Sequence, residues 1–184
     1  MSTTSAPFGL RPALHQSGTV RPSAYTILTG YTSGILQNQP IKIGAGGYIE
    51  AAAINDRFIG TFQGVEYTDT LGRRTYSNQW IANVPATDIV CYTTEDPYIT
   101  YEIQTNAAVT LADIGEQFDF TTITAGSTTT GLSALMLDVA STAVNASLRL
   151  MNVSPYPNNA WGDPYVIVQV QISEHQFVAD VAAI

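Results

Sequence analysis

The chain has 184 residues, enough for one substantial hydrophobic core or for two small ones. Only 12% of its residues are charged, against about 25% in ordinary soluble domains, and Lys42 is the single lysine. Fifteen acidic residues against seven basic ones argue against nucleic acid as a direct partner. Sparse charge and many β-branched residues are typical of a β protein that packs against copies of itself or against other proteins.

The single cysteine, Cys91, excludes an intramolecular disulfide and a cysteine-based zinc site. It lies in the apolar run 89–92, which predicts a buried and unreactive thiol. A chain without disulfides fits assembly in a reducing cytoplasm. The first residues have neither the basic nor the apolar region of a secretory signal, and no stretch approaches 18 apolar residues. We therefore expect no export signal and no membrane span.

The first 24 residues differ in composition from the rest of the chain. They contain three prolines and several small residues, and no acidic residue occurs before Glu50. This pattern predicts an extended N-terminal arm over residues 1–24. The arm is either a disordered tail or a segment that is mobile over residues 2–22 in the free protein and docks on another subunit. Apolar and basic residues at short spacing favour docking. The residues predicted to contact the partner are Phe8, Leu10, Arg11 and Arg21.

From Tyr25 onward, short runs of alternating apolar and polar residues predict strands separated by turns. The only helix candidate is one or two turns at 109–114. Glycines inside the run 57–69 predict a bulge or a sharp bend, and a hairpin turn follows at 69–74. The predicted strands lie at 25–29, 41–43, 48–50, 57–69, 75–84, 88–94, 98–105, 135–139, 148–153 and 165–173.

Ten to twelve short strands with regularly spaced turns are typical of an all-β fold. We predict an antiparallel β-sandwich or barrel over residues 25–184, preceded by the extended arm. The domain has room for two small β lobes, residues 25–94 and 95–184. Trp80 follows two residues of the same strand face and is predicted to lie in the core.

No group of residues predicts catalysis. The only imidazoles are His15, in the arm, and His175, at the end of the last strand. The triplet Ser-Glu-His at 173–175 is no catalytic triad, because neighbours on a strand point to opposite faces. The acidic clusters at 95–96 and 113–119 are explained more simply by turns and caps than by a metal site or a glycosidase pair. We predict no catalytic residue, no metal and no cofactor.

The tryptophan in the loop 154–164 has two interpretations. Trp161 is flanked by asparagine, glycine and aspartate, and an apolar ring in such a loop is most useful at a protein interface. The alternative is a platform on which a carbohydrate ring stacks. We favour the interface.

Short motifs occur in a particular order along most of the chain. The arm contains Phe-Gly-Leu-Arg-Pro at 8–12, and hairpin motifs follow at 59–67 and 77–80. Further motifs lie at 96–97, 101–104, 113–115, 131–133, 148–150 and 170–177. Each motif is short, but their order resembles that of the small head decoration, or cement, proteins of tailed bacteriophages.

This resemblance implies a structural virion protein without enzymatic activity. Such a protein is assembled in the host cytoplasm and lies on the outside of the phage head. It bridges neighbouring major capsid proteins and holds the shell against the pressure of the DNA. The expected partners are the major capsid protein and further copies of the chain in a dimer or trimer, with no nucleic acid and no membrane.

Two other functions remain open from the sequence. The first is a module of a phage tail or fibre that binds host-surface carbohydrate through exposed tyrosine and tryptophan. The second is an acidic β-sandwich enzyme that acts on glycosides. Copy number separates the three: a cement protein is expected in hundreds of copies per particle, a fibre module in tens or fewer, and an enzyme in no fixed ratio.

Overall fold

The protein is described from a computed structural model that covers residues 2–122, 125–143 and 145–180. Strands make up 42% of the structure and helices 3%, which confirms the predicted all-β class. The only helical turns in these residues are two short 3-10 helices, Ala45–Gly47 and Leu111–Asp113. The strands are β1 (Arg11–Leu14), β2 (Ser23–Tyr25), β3 (Ile35–Leu36), β4 (Pro40–Ile43), β5 (Ile49–Ala51), β6 (Gly60–Thr68), β7 (Arg74–Ser77), β8 (Gln79–Trp80), β9 (Thr87–Thr93), β10 (Thr100–Gln104), β11 (Gln117–Phe120), β12 (Gly126–Ser127), β13 (Leu132–Ser133), β14 (Leu137–Ala143), β15 (Leu148–Val153) and β16 (Ile167–Ile172).

Two six-stranded antiparallel sheets organise these strands. Sheet 1 has the order β1-β10-β16-β15-β11-β14, and sheet 2 has the order β2-β9-β6-β4-β5, with β7 also paired to β6. Two-stranded ribbons, β3-β8 and β12-β13, complete the set. Neither large sheet closes on itself within the described ranges, so the arrangement is sandwich-like and the barrel alternative is wrong.

The alternation seen in the sequence sets which face of each strand is buried. In β16, Val168, Val170 and Ile172 are buried, while Gln169 and Gln171 face the opposite side and are half-buried. The predicted irregularity in the long strand β6 is also present, because its register against β9 shifts between Phe62 and Gly64. The bulge lets one strand follow the twist of the sheet.

Two hydrophobic cores are present. Core 1 lies mainly on sheet 1, and core 2 lies on sheet 2 and contains Trp80 at 1% exposure, as predicted. Cys91 is fully buried in core 2, and burial raises the pKa of its thiol, so the predicted unreactive cysteine is consistent with its surroundings. Core 1 also takes Ala52 and Phe58 from the sheet 2 half, and Phe58 meets Phe120 edge to face with ring centroids 5.9 Å apart. Core 1 therefore joins the two halves of the chain.

The predicted arm is not separate from the domain. Leu10 is fully buried in core 1, and β1 forms the edge of sheet 1 by pairing with β10. Upstream of β1, the side chain of Gln104 accepts the Ala6 N–H at 2.8 Å and donates to the Thr4 carbonyl at 3.0 Å. The structure therefore places the arm against the core of the same chain, and its mobility in the free protein stays a prediction. Docking on β10 satisfies backbone groups that the edge of this strand would otherwise expose.

The segment after β16 joins sheet 1 to sheet 2. His175 is fully buried, and its Nδ1 accepts the Phe177 N–H at 3.1 Å. Its Nε2 consequently carries the proton and donates to the carbonyls of Ile59, at 2.8 Å, and Glu95, at 3.0 Å. The next residue, Gln176, bonds both the N–H and the carbonyl of Ile43. A neutral imidazole thus fastens the end of the chain to sheet 2.

We expect stability to fall as the pH drops below about 6.5. Burial lowers the pKa of His175 from its ordinary value of 6.5. As the pH falls below 6.5, the imidazole therefore becomes protonated in the unfolded chain while it is still neutral in the native protein. The stabilisation from the neutral ring is present above that pH and is lost as the pH falls toward the native pKa. Urea unfolding at about pH 7.5 and about pH 5.5 measures the loss. His175→Gln should weaken this dependence, and an equal loss in both proteins would contradict the explanation.

Candidate partner-binding surface

The arm builds a shallow cleft along the edge of sheet 1. A cavity of about 480 Å³ lies beside β1 and continues onto β10, β16 and the loop after β15. We call it the arm cleft. Its lining residues are Arg11, Ala13, Leu14, Glu102, Pro155, Tyr156 and Gln169.

Three polar side chains form the floor of the arm cleft. Arg11 Nη2 donates to Glu102 Oε2 at 2.6 Å and lies 3.0 Å from the hydroxyl oxygen of Tyr156. The Tyr156 hydroxyl donates to the same Glu102 oxygen at 2.8 Å. The Glu102 side chain is 7% exposed and that of Arg11 is 44% exposed, so the carboxylate is buried beneath a guanidinium that still reaches water.

The electrostatics keep this group charged at neutral pH. Burial alone would raise the pKa of Glu102, but hydrogen bonds from Arg11 and Tyr156 outweigh it and hold the pKa below its ordinary value. The bond to Glu102 raises the pKa of the Tyr156 hydroxyl, which therefore stays protonated as a donor. Because the Glu102 carboxylate remains ionised, it keeps accepting hydrogen bonds from Arg11 and Tyr156, and these bonds hold the three side chains in place.

Three of the predicted contact residues, Phe8, Leu10 and Arg11, make contacts within the chain. The Arg11 guanidinium lies over the ring of Phe8, 4.5 Å from its centroid, which orients it by a cation–π contact. The Phe8 carbonyl accepts from the side chain of Asn38 at 3.1 Å, and the Leu10 N–H donates to the Asn38 carbonyl at 2.8 Å. Leu10 itself is inside core 1 and is not available to a partner. These predicted contact residues therefore hold the arm against the rest of the chain.

The side chains that the arm cleft offers to a partner are mainly apolar. Leu14 is 57% exposed at the end of β1, and Tyr156 is 42% exposed above the charged floor. β1 is the last strand of sheet 1 on this side, so one of its edges is unpaired among the described residues. Pro12 lacks an N–H, which limits uncontrolled strand pairing at that edge. An apolar rim around fixed polar groups is the composition of a protein-binding surface.

The other predicted arm residue, Arg21, lies in a second cleft of about 280 Å³ with His15 and Asp96. His15 Nε2 is 3.2 Å from Asp96 Oδ2, and its Nδ1 is 2.7 Å from Ser17 Oγ. This chain of contacts closes a turn, because the Ser17 N–H also bonds Nδ1 and the Gly18 N–H bonds the His15 carbonyl. The N–H groups of Ser17 and Gly18 are therefore already bonded within the turn and do not form an anion-binding site of the kind that hydrolytic enzymes use.

Trp161 is half-buried and packs against core 1, and the next residue, Gly162, donates its N–H to the Val109 carbonyl at 2.9 Å. The ring therefore presents only part of its surface to a partner. Its predicted place at an interface stays a prediction.

Sequence reasoning did not find Glu102 and Tyr156, although Glu102 lies in a strand that was predicted. A glutamate on the polar face of a half-buried strand indicates that a basic side chain lies nearby in the fold. The partner of Glu102 is Arg11, which is 91 residues away in the sequence. Only the pairing of β1 with β10 brings the two together. The arm cleft was therefore beyond what local patterns can locate.

Within residues 2–122, 125–143 and 145–180, no cluster of three or more His, Cys, Asp or Glu residues is arranged to hold a metal. The same residues contain no helix with the length and apolarity to cross a membrane. Comparison of the chain with protein families, with curated proteins and with solved structures finds no match.

Proposed function

We propose that the chain is a structural protein of a tailed-phage head that binds the outside of the capsid. In this role it bridges neighbouring major capsid proteins and stabilises the shell, and it acts without catalysis. The order of motifs that resembles head decoration proteins supports this proposal, as do the low share of charged residues and the all-β fold.

The arm cleft is the observation that carries the proposal furthest. It places exposed Leu14 and Tyr156 around a fixed charged floor at a free sheet edge. A partner can bury the apolar rim and pair with the backbone groups of β1 other than Pro12, which has no N–H to donate. The major capsid protein is the proposed partner, and a dimer or trimer of the chain is the proposed form on the shell.

Such a protein acts by mass action. A ligand that binds only the assembled shell stabilises it by about 2.7 kcal/mol per site when its free concentration is about 100 times its dissociation constant. Repeated over the shell, this term reinforces the whole particle. The half-buried state of Trp161 gives no support to the stacking of a carbohydrate on that ring.

We expect Leu14→Asp to reduce the occupancy of the protein on purified heads by about tenfold or more, because it places a charge in the apolar rim. Leu71→Asp is the matched control, since Leu71 is 73% exposed at the distant β6–β7 turn. Occupancy is read from stained gels of purified particles, after circular dichroism has shown that both variants fold.

Heads with and without the protein are then heated side by side. Decorated heads should release their DNA at a higher temperature, and heads with Leu14→Asp should behave like undecorated ones. DNA release at one common temperature for all of them, or equal occupancy of wild type and Leu14→Asp, would show that the proposal is wrong.

A further inference from the structure

Arg149 lies near the middle of sheet 1, on the face opposite core 1. Its neighbours on β15, Leu148 and Leu150, are fully buried in core 1, so the alternation of the strand turns Arg149 to the other side. Arg149 pairs in register with Gln171 on β16. The arm cleft opens on the same face of sheet 1, where Gln169 lies two residues before Gln171, but the cavity at Arg149 shares no lining residue with it.

A cavity of about 220 Å³ opens at Arg149 and is lined also by Pro97, Tyr98, Gln171, Ile172, Val178 and Ala179. We call it the Arg149 pocket. The Tyr98 hydroxyl, the Gln171 amide and the Arg149 guanidinium have no hydrogen-bond partner among the described residues. Tyr98 is 63% exposed and reaches solvent, while the Nε atom of Arg149 is buried. Several donors therefore meet at one pocket without an acceptor.

The charge pattern of the whole chain makes Arg149 exceptional. Five of the seven Lys and Arg side chains form ion pairs within the chain, and these are Arg11, Lys42, Arg57, Arg73 and Arg74. Of the remaining two, Arg21 is exposed to water, whereas Arg149 is half-buried. A buried guanidinium nitrogen without an acceptor is unfavourable. Although acidic residues outnumber basic ones 15 to 7, no acidic side chain in the part of the chain that the structure describes forms an ion pair with Arg149.

The chemistry of the pocket selects its ligand. A planar guanidinium matches a carboxylate through two parallel hydrogen bonds, and amide and phenol donors can complete the shell. The apolar walls from Pro97, Val178 and Ala179 suit a short aliphatic stem. Typical pockets for drug-sized ligands measure about 300–1,000 Å³, so this smaller pocket suits one acidic side chain or one small dicarboxylate.

We propose that the Arg149 pocket binds a carboxylate carried on a short aliphatic stem. The source assigned to it, an Asp or Glu side chain of the neighbouring shell protein, rests on the proposed function. The chemistry of the pocket does not, and it is tested on the isolated protein.

The test is an NMR titration of the full-length protein with glutamate capped as N-acetyl N-methylamide, which mimics a glutamate side chain. We expect saturable shifts at the amides of residues 98, 149 and 171, with a dissociation constant of about 1–10 mM. Arg149→Gln should weaken binding about tenfold or more, and Arg149→Lys, which keeps the charge without the fork, should give an intermediate value. Arg21→Gln, the other unpaired arginine, is the matched control and should bind like wild type.

Equal binding by wild type and Arg149→Lys, or no saturable shift in wild type, would overturn the proposal even if Arg149→Gln failed to fold. Glutarate in a parallel titration and occupancy of Arg149→Gln on heads distinguish the two sources. Lower occupancy supports an acidic side chain of the shell. Unchanged occupancy with tighter binding of glutarate than of capped glutamate supports a free dicarboxylate. The titration is independent of heads, so failure of the proposed function leaves its result unaffected.

Discussion

Replacing Leu10 by Ala should lower the free energy of unfolding by about 2–5 kcal/mol, the usual cost of deleting a fully buried leucine side chain. Leu10 is 0% exposed and packs in core 1, although it belongs to the segment that the sequence presents as an arm. Urea unfolding followed by tryptophan fluorescence measures the change. Leu14→Ala, at a position 57% exposed on the same segment, is the control and should cost less than about 0.5 kcal/mol.

Deletion of residues 2–22 extends this test. It removes Leu10 and β1 together, and it leaves one edge of β10 unpaired. The truncated protein should be less stable than Leu10→Ala and should expose apolar surface to a hydrophobic dye. An unchanged unfolding midpoint would show that the arm is an appendage, as the composition alone suggests.

Gly60→Ala should destabilise the protein by at least about 3 kcal/mol. A Cβ atom at residue 60 would lie far inside 3.0 Å of the Thr94 carbonyl oxygen, an approach that real Cβ atoms essentially never show. Thr61 and Thr94 bond to each other through backbone and side chain at this point, so the two strands cannot simply separate. The expected result is a large fall in the thermal midpoint.

Gly34→Ala is the matched control for this substitution. At residue 34 the nearest atom to an added Cβ is the Trp80 carbonyl oxygen at 3.4 Å, an ordinary contact distance. Its thermal midpoint should stay close to that of wild type. Similar midpoints for the two variants would contradict the steric explanation at Gly60.

The parts of the fold that the sequence predicts are those with a local cause. The predicted strand 148–153 coincides with β15, and the predicted strand 165–173 contains β16, because alternation of apolar and polar residues is a property of each strand alone. The one-turn helix near Leu111 was likewise visible, and Thr110 caps it together with Asp113. These features need no knowledge of the rest of the chain.

The parts of the structure that the sequence does not predict depend on pairing between strands that are far apart in the chain. Proline and glycine around Phe8–Pro12 hide the strand potential of β1, which forms only because β10 offers an edge. Arg11 lies in a stretch without acidic residues, so its partner Glu102 could not be found nearby. The Arg149 pocket has the same origin, since its walls come from the loop before β10, two strands and the chain end. The local sequence predicts which segments form strands, but it does not predict which other strand each of them pairs with.

The strand order of sheet 1 has a consequence for how the chain is made. Its last strand in sequence, β16, lies between β10 and β15, in the interior of the sheet. His175, which fastens sheet 1 to sheet 2, comes later still. During synthesis sheet 2, whose strands all lie between residues 23 and 93, can pair early, whereas β10 and β15 each keep one edge unpaired until β16 has left the ribosome. Folding of sheet 1 is then a late, whole-chain event, and the half-made chain is a natural client for chaperones.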